Sequence, residues 1–101
     1  MSYYDRTRAL VELASYDESA SYEVDMGGIY WDPSAKKYCF ITASGCSCWD
    51  GQYEDNQYDK LSELLVAEQV EQSTYAPSLS AMERMAEEAT IEALKLGLIV
   101  A

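Results

Sequence analysis

The sequence predicts an α+β domain: a β-hairpin or small antiparallel sheet packed against two to three α-helices. Three observations predict it. Apolar residues alternate with acidic ones from Tyr22 to Met26; an aromatic and β-branched run, KYCFITA, follows an Asp-Pro turn; and the C-terminal third repeats apolar residues at three- and four-residue steps. A period of two belongs to a strand with one buried face, and the longer period to an amphipathic helix.

In chain order, Ala9, Leu10, Leu13 and Ala14 have helical spacing and predict a helix over residues 5–14. The stretch YDESAS, residues 16–21, has the composition of a loop. Tyr22, Val24 and Met26 then mark one strand face. Gly27 and Gly28 interrupt the alternation, as glycines do at a bulge or a close backbone approach. With a bulge there, Ile29 and Trp31 return to the buried side and Tyr30 turns outward. Asp32, Pro33, Ser34 and Ala35 form a turn, proline holding the dihedral of its second position. Residues 37–43 are the return strand. Its two faces are both apolar, Tyr38 and Phe40 against Cys39 and Ile41, so any face the helices leave bare is a place for a partner or a second copy of the chain.

After the stretch SGCSCWDG, the polar QYEDNQYD of residues 52–59 reads as a solvated acidic loop leading into a helix. In that helix, LSELLVAEQVEQ, the side chains of Leu61, Leu64, Leu65 and Val70 share a face, and STYAP ends it. Ser78 or Ser80 caps a third helix, Ser80 and Glu83 having the spacing of a capping box. Met82, Met85, Ala86, Ala89, Ala93 and Leu96 form its stripe, Gly97 its stop, and LIVA a short extended tail. The small residues Ala86, Ala89 and Ala93 allow close helix approach, within one chain or across a homo-oligomer.

A length of 101 residues supports one core, so residues 1–101 are expected to form a single small acidic domain. Eighteen acidic residues against seven basic ones give a net charge of −11, with no histidine to moderate it. That field repels phosphates and anionic membranes and favours a protein partner with a basic face. The basic residues, Arg6, Arg8, Lys36, Lys37, Lys60, Arg84 and Lys95, form no stripe, so direct nucleic-acid binding is not expected. No apolar run is long enough to cross a bilayer and the N-terminus lacks a signal-peptide layout, which together predict a cytoplasmic protein with no membrane partner.

Cys39, Cys46 and Cys48, with Asp50 as a fourth ligand, are the metal candidates for a tetrahedral zinc. Their spacing disfavours it, because zinc knuckles separate paired cysteines by two to four residues and this chain has neither a second pair nor a histidine. A Cys46–Cys48 disulfide needs a tight turn; Cys39 bridging to either one is geometrically easier across a strand end, and the inferred compartment would keep it reduced. A thiol nucleophile needs a base or a lowered pKa, and the surrounding carboxylates act the other way. The cysteines therefore read as small packed hydrophobes, with Trp49 anchoring the exit from the hairpin. Asp50, Glu54, Asp55 and Asp59 lack the ligand spacing of an EF-hand. No catalytic set stands out, so the chain is read as a non-enzyme without a cofactor.

The alternating tyrosine-acid strand, the Asp32-Pro33 turn, the second aromatic strand, SGCSC at Ser44 to Cys48 and the acidic YEDNQY together resemble a family of small bacteriophage proteins of actinobacteria. The resemblance runs from Tyr22 to about Leu65 and leaves out the terminal helices; SGCSC is its most specific element. In its common form the motif continues with proline, where this chain has Trp49. The family has no assigned activity, so the resemblance implies an origin, and a host cytoplasm, rather than a reaction. The expected function is accessory protein binding through Tyr30, Tyr38, Tyr53, Glu54, Asp55, Tyr58 and Asp59. Two other classes compete with it: a metal-binding or redox module centred on the cysteines, and an acidic mimic of nucleic acid.

Overall fold

The structure, a computed structural model, describes residues 1–71 and 78–100. Its elements run α1 (Tyr3–Arg8), β1 (Val11–Asp17), β2 (Glu23–Asp32), β3 (Lys37–Cys46), β4 (Glu54–Tyr58), α2 (Leu61–Glu71) and α3 (Leu79–Lys95). The strands form one antiparallel sheet in the order β1-β2-β3-β4, which with the helices makes the α+β architecture expected. Each strand is joined to its neighbour in sequence, so the sheet needs no crossover.

The register of β2 and β3 sets the two faces. Ile29 lies opposite Phe40 and Trp31 opposite Tyr38 on one face, while Tyr30 lies opposite Cys39 and Gly28 opposite Ile41 on the other. On the first, Leu64 of α2 and Met82, Met85, Ala89 and Ala93 of α3 close over Ile29, Tyr38 and Phe40. On the second, Tyr3 of α1 and the partly buried Trp49 and Tyr53 pack with Tyr30, Cys39, Ile41 and Ala43. Among the described residues both faces are therefore largely covered within one chain.

Sequence expectations for several elements are corrected. The helix over residues 5–14 stops at Arg8, and its second half is strand β1. Pairing with β2 shifts register between Glu12 and Ala14, so adjacent Leu13 and Ala14 are both buried and imitate helical spacing. The bulge thus lies in β1 and not at Gly27 and Gly28, where β2 runs without a shift. As a result Tyr30 points inward and is only 4% exposed. The acidic stretch is not a loop either, since β4 pairs with β3 from Tyr38↔Tyr58 to Thr42↔Glu54. Finally, of the two candidate caps of α3 it is Ser78 that serves, accepting from the Ala81 N–H at 3.2 Å, so Ser80 lies inside the helix and the Ser80–Glu83 capping box is not the cap.

Other expectations match. The turn holds, with Asp32 Oδ1 accepting from the N–H groups of Ser34 and Ala35 at 3.0 and 3.1 Å and Lys36 adopting φ 56°. Gly97, at φ 74°, ends α3 in a Schellman arrangement: the Leu98 N–H reaches the Ala93 carbonyl at 2.9 Å and the Gly97 N–H reaches Leu94 at 3.1 Å. Leu96 is exposed instead of buried, and Ala86 is half-buried. The place of the Val70 side chain and the stop at STYAP fall outside the described residues.

The glycine pair serves close backbone approach. A Cβ on Gly27 would lie 2.3 Å from the Ile41 carbonyl oxygen, and one on Gly28 would lie 2.4 Å from that of Ala14. Neither neighbour is a side chain that could swing aside. Gly28→Ala is therefore expected to cost about 3 kcal/mol or more, at or above the upper end for overpacking, because the β1–β2 ladder itself must open. Chemical denaturation checks this, with Gly97→Ala as the comparison: it meets no atom within 4 Å and carries only the strain of its positive φ.

Candidate functional site

The residues singled out from sequence separate into different places. Tyr30 and Tyr38 are buried on opposite sheet faces. Tyr53 packs, partly buried, under the N-terminal cover. Tyr58 donates to Glu68 Oε1 at 2.7 Å, and Asn56 Nδ2 donates to the same oxygen at 3.1 Å, which satisfies a carboxylate buried beneath α2. Glu54 is exposed on β4, and Asp59, also exposed, is ion-paired with Lys37. Tyr30 and Tyr38 are thus core residues, while Glu54 and Asp59 remain at the surface.

Asp55 belongs to a cluster on the N-terminal face. Arg6 of α1 donates from Nε to Asp55 Oδ2 at 2.8 Å, from Nη1 to Asp32 Oδ2 at 3.2 Å and from Nη2 to Cys39 Sγ at 3.6 Å. The capping box between Ser2 and Asp5, together with the Tyr3 N–H bonded to the Gly51 carbonyl at 2.8 Å, fixes the helix that carries this guanidinium. Donation from the Ala35 N–H holds the Asp32 carboxyl below its ordinary value, and Arg6 acts in the same direction. Burial pushes the Cys39 thiol up to about 11, and the Asp55 charge adds to that. Cys39 is consequently a packed, protonated thiol, as read from sequence, and a poor nucleophile or ligand.

Cys46 and Cys48 differ from that reading. Both are exposed, and they are joined as a disulfide with Cα atoms 5.3 Å apart. A turn at the end of β3, where the Trp49 N–H bonds the Cys46 carbonyl at 3.0 Å, brings them together. Asp50 is exposed nearby, while Cys39 lies inside the sheet. The four suggested zinc ligands are therefore not gathered, and among the described residues no group of three or more Cys, Asp or Glu side chains is placed to hold a metal ion.

A concave site does form elsewhere, on the helix-covered face at the turn end of the hairpin. It is a cleft of about 470 Å³ walled by Trp31, Tyr38, Leu61, Leu65, Leu98 and Ile99. Asp59, Lys60, Ser62 and Thr90 supply its polar groups. The rings of Trp31 and Tyr38, cross-strand partners, lie 4.8 Å apart and tilted by 55°. The Schellman turn folds Leu98 and Ile99 back to close the far wall. A mostly apolar cleft with a few polar groups at its rim suits an apolar side chain and selects its neighbours by hydrogen bonding and charge. Of the sequence candidates only Tyr38 and Asp59 reach it. Trp31 could have been found by pairing outward from the turn, since Asp32 opposite Lys37 puts Trp31 opposite Tyr38.

A family model described as Domain of unknown function (DUF7574) matches residues 2–94, well beyond the span of the SGCSC resemblance. Nothing among curated proteins or solved structures matches the chain. Among the described residues no helix is long and apolar enough to cross a membrane.

Two outcomes follow from this geometry. Arg6→Ala is expected to destabilise the protein by about 2–3 kcal/mol, between the cost of an exposed pair and that of a buried one, because the side chains of Arg6, Asp32 and Asp55 are only 15, 11 and 17% exposed. Asp32 is depressed in the folded state, so its contribution is present above the ordinary aspartate range and lost as pH falls below about 4. The deficit of Arg6→Ala against wild type should therefore shrink in acid, which denaturation at several pH values measures. The second outcome concerns thiols: protein denatured without reductant should show one titratable thiol, Cys39, and native protein none near neutral pH. Three thiols on denaturation would remove the disulfide.

Proposed function

We propose that this chain, which belongs to the family described as Domain of unknown function (DUF7574), is a non-enzymatic module that binds an apolar anchor residue of a basic protein segment in the cleft walled by Trp31, Tyr38, Leu61, Leu65, Leu98 and Ile99. The cleft itself carries the proposal. An aromatic pair and four aliphatic side chains give it contact area, and the net charge of −11 favours a partner whose flanking residues are basic. Glu63 of α2 and Glu83 and Glu87 of α3 are exposed carboxylates available to such flanks. The absence of histidine in the sequence and the raised thiol of Cys39 support a role without catalysis. A phage origin and a host cytoplasm remain part of the same proposal, supported by the SGCSC resemblance. The exposed Cys46–Cys48 disulfide favours a second reading, a redox module, under which the cysteines and not the cleft would be essential.

The test uses short lysine-flanked peptides bearing one central leucine, phenylalanine or tryptophan, titrated against the full chain and followed by amide shifts. Saturable shifts at Trp31, Leu65 and Ile99 are expected, weakening as salt screens charges beyond about 8 Å. Leu65→Gln should weaken binding about tenfold, the equivalent of part of one buried side chain. Serine at both Cys46 and Cys48 should leave it unchanged. Loss of binding in the serine variant, or none to wild type, contradicts the proposal.

A further inference from the structure

On the opposite sheet face a second cleft, of about 320 Å³, lies between α1 and β1. Tyr3, Tyr4 and Thr7 line it from α1, Glu12 and Asp17 from β1, and Tyr30 from β2. Register places Glu12 opposite Tyr30 and Asp17 opposite Met26, so both carboxylates project on the face that α1 covers. Burial raises the phenols of Tyr3 and Tyr30, and the negative charge of Glu12 acts on both in the same direction. Tyr4 is 54% exposed, and its hydroxyl donates to Met26 Sδ at 4.0 Å. Among the described residues no lysine or arginine lines the cleft. The two arginines of the adjacent helix are committed elsewhere, Arg6 to Asp32 and Asp55 and Arg8 to Asp5.

From this we propose that the α1–β1 cleft is a binding site for a hydrogen-bond-donating organic cation, a guanidinium or a primary ammonium group. Phenolic, hydroxyl and carboxylate oxygens are its acceptors, and the exposed Tyr4 ring offers a π face to a flat cation. Calcium is the poorer fit, because it takes six to eight oxygen ligands and the described lining of the cleft offers two carboxylates. Guanidinium, planar with five donors, matches a wall of scattered acceptors beside a ring. The same group can come from a free amine or from an arginine in a protein segment. This site faces away from the apolar cleft and does not depend on it.

The test titrates methylguanidinium, acetyl-Gly-Arg-Gly-amide and tetramethylammonium separately into the full ¹⁵N-labelled chain. The first two should give saturable shifts at Tyr3, Glu12, Asp17 and Tyr30, with tetramethylammonium, which donates no hydrogen bond, at least about tenfold weaker. Tighter binding of the peptide than of methylguanidinium assigns the site to a protein segment, and equal binding assigns it to the free cation. Both results support the proposal. Glu12→Gln with Asp17→Asn should weaken binding about tenfold, as expected for lost charge-assisted bonds. Both positions are exposed, and asparagine keeps the oxygen that accepts from the Ser19 N–H, so folding is preserved. Glu87→Gln with Glu88→Gln makes the same charge change on α3 and should leave binding intact. Leu65→Gln should also leave it intact, which separates this site from the apolar cleft. No saturable shift at these residues, equal binding of tetramethylammonium, or full binding by the Glu12/Asp17 variant overturns it.

Discussion

A hairpin that is apolar on both faces imposes a double cover, and the remaining elements are placed by that demand. Ile29, Tyr38 and Phe40 on one side and Tyr30, Cys39 and Ile41 on the other leave no strand face that water could take. A chain of 101 residues has little to spare for two covers. It divides its helices unequally, giving α2 and α3 to one face and the six-residue α1, aided by the segment carrying Trp49 and Tyr53, to the other.

The unequal covers are held by different physics. Burial of aliphatic side chains is enough for α3, whose Met82, Met85, Ala89 and Ala93 are fully enclosed. A six-residue helix cannot persist by its own hydrogen bonds. It is held by its capping box, by edge contacts of Tyr3 and Tyr4 with Trp49, and by the Arg6 fork onto Asp32 and Asp55. Those charges are expensive to desolvate, and Asp55 Oδ1 has no hydrogen-bond partner among the described residues. What they give in return is position, since an arginine bonded to β2 and β4 at once admits only one seating of α1.

Much of this was legible locally. The hairpin, its Asp-Pro turn, α3 and the glycine stop follow from period, turn chemistry and capping, which act within a few residues. The errors share one cause, pairing between distant segments. Leu10, Leu13 and Ala14 read as a helix because a bulge puts adjacent residues on one side, and only the edge of β2 makes that stretch a strand. Glu54 to Tyr58 is polar enough for a loop, yet β3 needs a partner on its other edge and Glu68 accepts from Asn56 and Tyr58. The candidate tyrosines were chosen as exposed contact residues, whereas a two-sided hairpin consumes Tyr30 and Tyr38 as core. Trp31, Leu98 and Ile99 were visible as apolar residues, but their meeting depends on where α3 ends relative to the turn.

Both clefts lie where the covers run out. On the helix-packed face, α3 ends in the Schellman turn, and the returning Leu98 and Ile99 wall the space beside Trp31 and Tyr38. On the other face, α1 is too short to reach along β1, leaving Glu12 and Asp17 beside buried phenols. Each remaining space inherits the chemistry of its cover: apolar beside the helices held by burial, acidic and aromatic beside the helix held by charge. The chemistry of each cleft thus follows from how its sheet face is closed.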